Sequence, residues 1–182
     1  MGSGPSAGIS GSASGVTSSP STATTPNPVD AQVNAGVPFV VQLSPATGPV
    51  VKRADLQVSY LKSNGNTTTD RGLAAIFRLS DDGQLAADGL VESTNPILDY
   101  QAFAGSLTDS VESITKTFKA ANGLVTWSNE SFEGNACNFY RTPSGQADNA
   151  MIIARFRGPV NLAWERIFLS AVRKLFSARM IR

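Results

Sequence analysis

The chain has no histidine and one cysteine, Cys137, among 182 residues. Without imidazole there is no Ser-His-Asp or Cys-His machinery and no histidine-ligated metal. A lone cysteine cannot close a disulfide within the chain, and it cannot build a Cys-rich zinc site or an iron–sulfur cluster. It reads as a buried small apolar side chain. Charge is scarce as well: 16% of residues are charged, and 15 Lys+Arg against 14 Asp+Glu leave a net charge of +1. No excess of either sign points to nucleic acid or an anionic surface. No run of eighteen apolar residues spans a bilayer, and no Gly-rich stretch has the strand-to-helix context of a phosphate or dinucleotide loop. The expectation is a protein without metal or cofactor.

What is present begins with the first 28 residues. Twelve are Ser or Thr, five Gly and four Pro, with no charged or aromatic side chain. Such a tract has too little apolar surface to offset the entropy of ordering it. Residues 1–29 therefore read as a disordered stalk, with the composition of an O-glycosylated spacer. Residues 30–172, about 150 in number, suit one domain that builds a core without staples. Residues 173–182 form a basic tail. The stalk points outside the cell, and no export signal opens at Met1. The expectation is a secreted or wall-associated module whose start is truncated upstream.

Past the stalk, short apolar runs alternate with turn signals. Val37 to Leu43 reads as a strand. Between Val50 and Tyr60 the residues Ala54, Leu56, Val58 and Tyr60 share one parity, predicting a strand with that face buried. Residues 62–70 read as an exposed loop and Leu73 to Leu79 as a strand. Asp81-Asp82-Gly83 and Asp88-Gly89 are turn signals, with strand-like Leu85 to Ala87 between them. Val111 to Phe118 alternates. Asn122-Gly123 is the strongest hairpin signal and leads into Leu124 to Trp127. Cys137 to Tyr140 and Ala150 to Phe156 are further runs. This spacing predicts an all-β antiparallel sandwich. At the C-terminus, Trp164, Ile167, Phe168, Ala171, Val172, Leu175 and Phe176 fit a helical stripe edged by Arg166, Arg173, Lys174 and Arg179. That stripe reads as a short basic amphipathic helix, which would dock a partner or membrane inside a cell, or as the last strand.

Two chemistries survive the absences. Paired carboxylates would serve a glycan hydrolase. The candidates are Asp81, Asp82, Asp88, Glu92, Asp99, Asp109, Glu112, Glu130 and Glu133, and no spacing singles out an acid and a nucleophile. Aromatic rings can stack on the apolar faces of sugars while amides bond the hydroxyls. Tyr100, Trp127, Tyr140 and Trp164 are the candidate platform, with Asn129, Asn135, Asn138 and Gln146 as polar neighbours. The competing reading puts Trp127 and Trp164 in the core. Asn66-Thr67-Thr68 and Asn129-Glu130-Ser131 are N-glycosylation sequons in predicted loops.

Four segments in order, Phe77–Leu85 (FRLSDDGQL), Ile114–Phe118, Gly123–Asn129 (GLVTWSN) and Arg141–Gln146, resemble a group of filamentous-fungal extracellular proteins. Those proteins join Ser/Thr-rich tracts to a β-rich domain of no established function. The resemblance spans about residues 36 to 172 and implies secretion and a β fold. It also implies paired cysteines in the second half, and this chain keeps only Cys137. No catalytic residue carries over. The functional expectation is a non-catalytic extracellular or cell-wall module, either structural in the wall or binding polysaccharide or a surface protein. The alternatives are the hydrolase and the intracellular docking domain.

Overall fold

The structure, a computed structural model, describes residues 1–2, 27–46, 58–107, 112–144 and 148–173. Twelve strands join in one antiparallel sheet: β1 (Phe39–Pro45), β2 (Ser59–Leu61), β3 (Thr67–Thr68), β4 (Phe77–Leu79), β5 (Leu85–Ala87), β6 (Leu90–Val91), β7 (Tyr100–Ala102), β8 (Phe118–Ala121), β9 (Leu124–Trp127), β10 (Asn138–Arg141), β11 (Ile152–Arg155) and β12 (Glu165–Arg173). The β-rich antiparallel class expected from the sequence holds. Strand pairing forms a single connected network and draws no division into two separate sheets.

The spine is the ladder between β1 and β12, paired from Phe39 opposite Arg173 to Pro45 opposite Ile167. Each spine strand forks on its outer side. β1 meets β4 at Phe39 and β2 at Gln42–Leu43. β12 meets β10 at Glu165–Ile167 and β9 at Ser170. The sheet continues from β10 through β11 to β7. Phe39, Val41, Leu43, Ile167, Leu169 and Ala171 alternate inward from the spine. They meet Phe77, Leu79, Leu85, Phe103, Phe118, Trp127 and Phe139 in one core.

Two turn predictions are met by backbone geometry. Asn122 and Gly123 have φ of 54° and 76°, and Asp88 and Gly89 have 53° and 79°. Positive φ at both central residues is the turn that matches strand twist.

The helical stripe at the C-terminus is corrected through Arg173. Glu165–Arg173 is strand β12, with Ile167, Leu169 and Ala171 buried. The apolar pairs 167/168 and 171/172 mimic a helix because both faces of this strand carry apolar residues. Leu175 and Phe176, and the tail beyond 173, lie outside the described residues. The strand over 50–60 is described only from Val58. There the parity is the reverse of that expected: Val58 is exposed, while Ser59 and Leu61 are buried. Ser59 stands opposite inward-facing Leu43, which fixes this register. Leu73 ends a 3-10 turn, Arg71–Leu73, whose N-cap Asp70 accepts from Gly72 N–H at 2.7 Å. Only Phe77–Leu79 of that run is strand. Residues 66–68 are not an exposed loop: Asn66 bridges to Met151, and Thr67 and Thr68 are buried.

A seven-residue helix, α1 (Pro28–Asn34), starts inside the segment read as stalk. Asn27 caps it by accepting from Val29 N–H at 3.0 Å, Pro28 occupies its first turn, and Gly36 follows its end with φ 80°. Its side chains tie it to the β8–β9 hairpin. The buried Asp30 carboxylate accepts from Gly123 N–H at 2.9 and 3.1 Å. The Asn34 amide donates to Ala120 C=O and accepts from Ala120 N–H, both at 2.9 Å. One side chain thus takes the place of a neighbouring strand at that point on β8.

Candidate functional site: an aromatic corner

Residues opposite one another in a ladder share a face. Ile152, Ala154, Phe139 and Ile167 face the core. The alternate set faces outward: Tyr100 opposite Arg155, Arg155 opposite Asn138, and Tyr140 opposite both Ile153 and Arg166. Trp164 precedes Arg166 by two residues and folds onto this outer face. Its ring meets Tyr100 edge-on, with centroids 5.1 Å apart and planes at 81°. It covers Tyr140 at 6.1 Å and 47°. Tyr140 is consequently buried and Trp164 half-buried, while Tyr100 is 52% exposed.

Three of the four aromatic residues singled out from the sequence are therefore neighbours. The fourth, Trp127, is corrected: it is 1% exposed and belongs to the core. β9 buries Val125 and Trp127 together by alternation. The Trp127 ring stacks on Phe118 at 4.4 Å and stands edge-on to Phe132 and Phe156 at 5.5 and 5.3 Å. Its indole N–H donates to Lys116 C=O at 3.1 Å. No face is left for a ligand. Of the expected polar neighbours, Asn138 joins the corner. Gln146 lies outside the described residues. Asn129 and Asn135 sit in the turn that carries Phe132, where Asn129 Oδ1 accepts from Ser131 N–H at 2.9 Å.

Two loops frame the corner, and backbone hydrogen bonds fix them. Asp99 C=O accepts from Phe156 N–H at 2.8 Å and Arg157 N–H at 3.1 Å. The Arg157 guanidinium bonds Asp99 Oδ1 at 3.2 Å and Pro96 C=O at 2.6 Å. Gly158 turns with φ 77° against the Asp99 carboxylate, where a Cβ would stand 3.1 Å from Oδ2. Arg155 is buried. Its Nε donates to Gly158 C=O at 3.0 Å, and it pairs with Glu133 at 2.5 Å. Asn161 Oδ1 accepts from Ala163 N–H at 2.9 Å, and Asn161 C=O accepts from Trp164 N–H at 3.0 Å, closing the turn that delivers the indole. Ile97 and Leu162 stand out at 75% and 99% exposure beside the rings, with Leu98 and Val160 also exposed. On the outer face, Arg166 donates to Asn138 Oδ1 at 2.6 Å.

The arginine braces were not singled out from the sequence. The signal was there in Ala150–Phe156, where Arg155 shares the parity of Ile153 and faces away from the core. An arginine in an otherwise apolar strand needs partners on its own face, and the turn at Gly158 together with Glu133 supplies them.

Of the candidate carboxylates, Asp99 and Glu133 stand at the corner, each paired with an arginine, Arg157 at 3.2 Å and Arg155 at 2.5 Å, and Asp109 lies outside the described residues. Asp81 and Asp82 lie in an exposed turn, and Lys116 at 2.5 Å, with the Ser80 hydroxyl at 2.5 Å, holds Asp82 down at about 2. That turn and residues 117–119 line an open concavity of about 490 Å³. Glu92 is the opposite case. Its N–H bonds Leu85 C=O at 2.9 Å, which sets it beside the inward-facing Leu85. Burial raises its carboxyl to about 8, and Oε2 has no hydrogen-bond partner among the described residues. It holds the proton that a general acid requires but is sealed from solvent.

Cys137 is a free, half-buried thiol, pushed up by desolvation. It lines a small apolar cavity of about 180 Å³ between β9, β10 and β12. The Asn66 sequon is folded into β3, with both of its threonines buried. Asn129 is half-buried in its turn.

A family model described as a domain of unknown function, DUF7908, matches residues 34–173. No curated protein matches the chain, and no solved structure does. The matched span runs from the last residue of α1 to the end of β12 and takes in the whole spine and the aromatic corner. The chain belongs to the DUF7908 family.

Proposed function

We propose that this domain is a non-catalytic extracellular or cell-wall-associated module that binds carbohydrate at the Tyr100–Trp164 corner. The observation that carries the proposal is the half-exposed Tyr100 ring meeting the Trp164 indole 5.1 Å away. Such rings offer apolar faces to the C–H side of a pyranose, and the neighbouring Asp99, Arg157 and Asn138 offer groups for its hydroxyls. The Ser/Thr-rich segment ahead of the domain supports an extracellular setting. The meeting of inward residues from the spine with those of β4, β5, β8 and β9 in one core supports a two-layer sandwich, with β7, β11, β10 and β12 as the binding layer.

The test is a binding screen of the full chain against soluble and insoluble glycans, beside Tyr100→Ala and Trp164→Phe. Binding that weakens at least about tenfold in a still-folded Tyr100→Ala supports the proposal. Binding unchanged in both variants moves the site elsewhere, and no binding to any glycan overturns the proposal.

A further inference from the structure

The shape of the corner restricts what it can hold. A crystalline polysaccharide presents sugar rings in one plane, and a protein that grips it needs aromatic rings that share a plane. Tyr100 and Trp164 do not share one: their planes stand at 81°. Only one of the two can lie flat on such a surface. Exposed aliphatic side chains flank both rings in the sequence. Leu162, two residues before Trp164, and Ile97, three before Tyr100, are 99% and 75% exposed.

A single glycan strand has no such difficulty. One sugar can stack on the Tyr100 face while the strand's flank runs along the perpendicular indole.

Charge narrows the choice further. Among the described residues, the arginines that build this face are already engaged. Arg157 pairs with Asp99 at 3.2 Å, Arg155 with Glu133 at 2.5 Å, and Arg166 bonds the Asn138 amide at 2.6 Å. A polyanionic glycan binds through cations free to face it. Here Arg166, held by the neutral Asn138 amide, is the one of the three without a carboxylate, and recruiting Arg155 or Arg157 to a run of anions would displace Glu133 or Asp99.

We infer that the corner takes a single, uncharged glycan strand from solution and not the face of a crystalline polysaccharide. This inference rests on the carbohydrate reading above.

The experiment titrates the full chain with soluble hexasaccharides of chitin, β-1,3-glucan and cellulose, and with a uronic-acid oligomer. Trp164 fluorescence is the signal and calorimetry the check. Crystalline chitin and cellulose are tested in parallel by sedimentation. The expected result is saturable binding of one neutral hexasaccharide, at least about tenfold weaker in Tyr100→Ala, with no retention on either crystalline solid. Trp164→Phe keeps a ring over Tyr140 and separates loss of contact from loss of fold. Retention on a crystalline solid that depends on Tyr100, without affinity for soluble strands, overturns the inference and leaves the carbohydrate reading standing. Preference for the uronic-acid oligomer does the same. No affinity for any glycan in any form removes both.

Discussion

The two tryptophans of this chain stand in opposite environments, although both lie at the end of a short apolar run. Trp127 is enclosed by Phe118, Phe132 and Phe156 with its N–H satisfied by Lys116 C=O. Trp164 lies across the outer face of the sheet, between the buried Tyr140 and the exposed Tyr100. Residue type does not separate them; strand parity and the supporting turn do. Trp127 continues the inward alternation of β9, whereas Trp164 precedes β12 on the parity of outward-facing Arg166. An aromatic ring becomes a surface feature when a turn lays it on the face that the core does not claim.

The largest expected effect lies on the enclosed side. Trp127→Ala leaves a large void among three aromatic rings and should cost about 3–5 kcal/mol in urea or guanidinium unfolding. A cost below about 1 kcal/mol would mean that the inner cluster is not packed as described.

The interior also holds Glu92, whose burial gives the comparison a pH dimension. Its carboxyl sits near 8 in the fold against an ordinary value of 4.5. Between those values the unfolded chain releases its proton while the folded chain keeps it, so the unfolded state binds fewer protons. Stability should therefore fall as pH rises from about 4.5 to about 8, at up to about 1.4 kcal/mol per pH unit. Denaturation midpoints across that range check the slope, and Glu92→Gln should flatten it. An unchanged slope in the variant would place the proton on another group.

Smaller still is the effect expected at the helix. Asn34→Ala removes both hydrogen bonds to Ala120 and leaves that backbone pair to water, a loss of about 1–2 kcal/mol. Exchange of the Ala120 amide should accelerate by more than global stability explains. The smallest stability effect falls on the outer cluster. Tyr100→Ala should change unfolding free energy by no more than about 0.5 kcal/mol while removing the glycan contact. A large destabilisation would make Tyr100 a packing residue and erase the contrast between the two clusters.

Much of the strand pattern was legible because it rests on local signals. Asn122-Gly123 and Asp88-Gly89 need left-handed backbone, and both turns fall where those pairs stand. The run Ala150–Phe156 and the strand over Cys137–Tyr140 were legible through apolar content. β7 carries no strand signal of its own, because Tyr100, Gln101 and Ala102 have no apolar alternation. It is a strand because β11 pairs with it, which is a tertiary cause. The alternation over Val111–Phe118 predicts a strand, whereas among the described residues of that run Ile114 forms an isolated bridge to Thr94 and the strand starts at Phe118. β12 was ambiguous because its outward residues Phe168 and Val172 are apolar too. The helix α1 hid in a Ser/Thr-rich context, although Asn27, Pro28, Asp30 and Gly36 spell its start and stop. Of the site, the sequence supplied the ring types but not their company. Tyr100 and Trp164 are 64 positions apart, and only the path β7–β11–β10–β12 makes them neighbours.

The spine joins the first strand to the last, with Phe39 beside Arg173. On a ribosome this imposes a schedule. β1 emerges early and waits, one edge unpaired, for a partner that is synthesised more than 120 residues later. Until β12 arrives, β9 and β10 also lack their place in the sheet. Loop closure on that scale favours slow, late folding, and in the interval the apolar stretch Phe39–Leu43 stays open to pairing with another chain. The nascent domain therefore depends, for most of its synthesis, on whatever keeps β1 from the wrong neighbour.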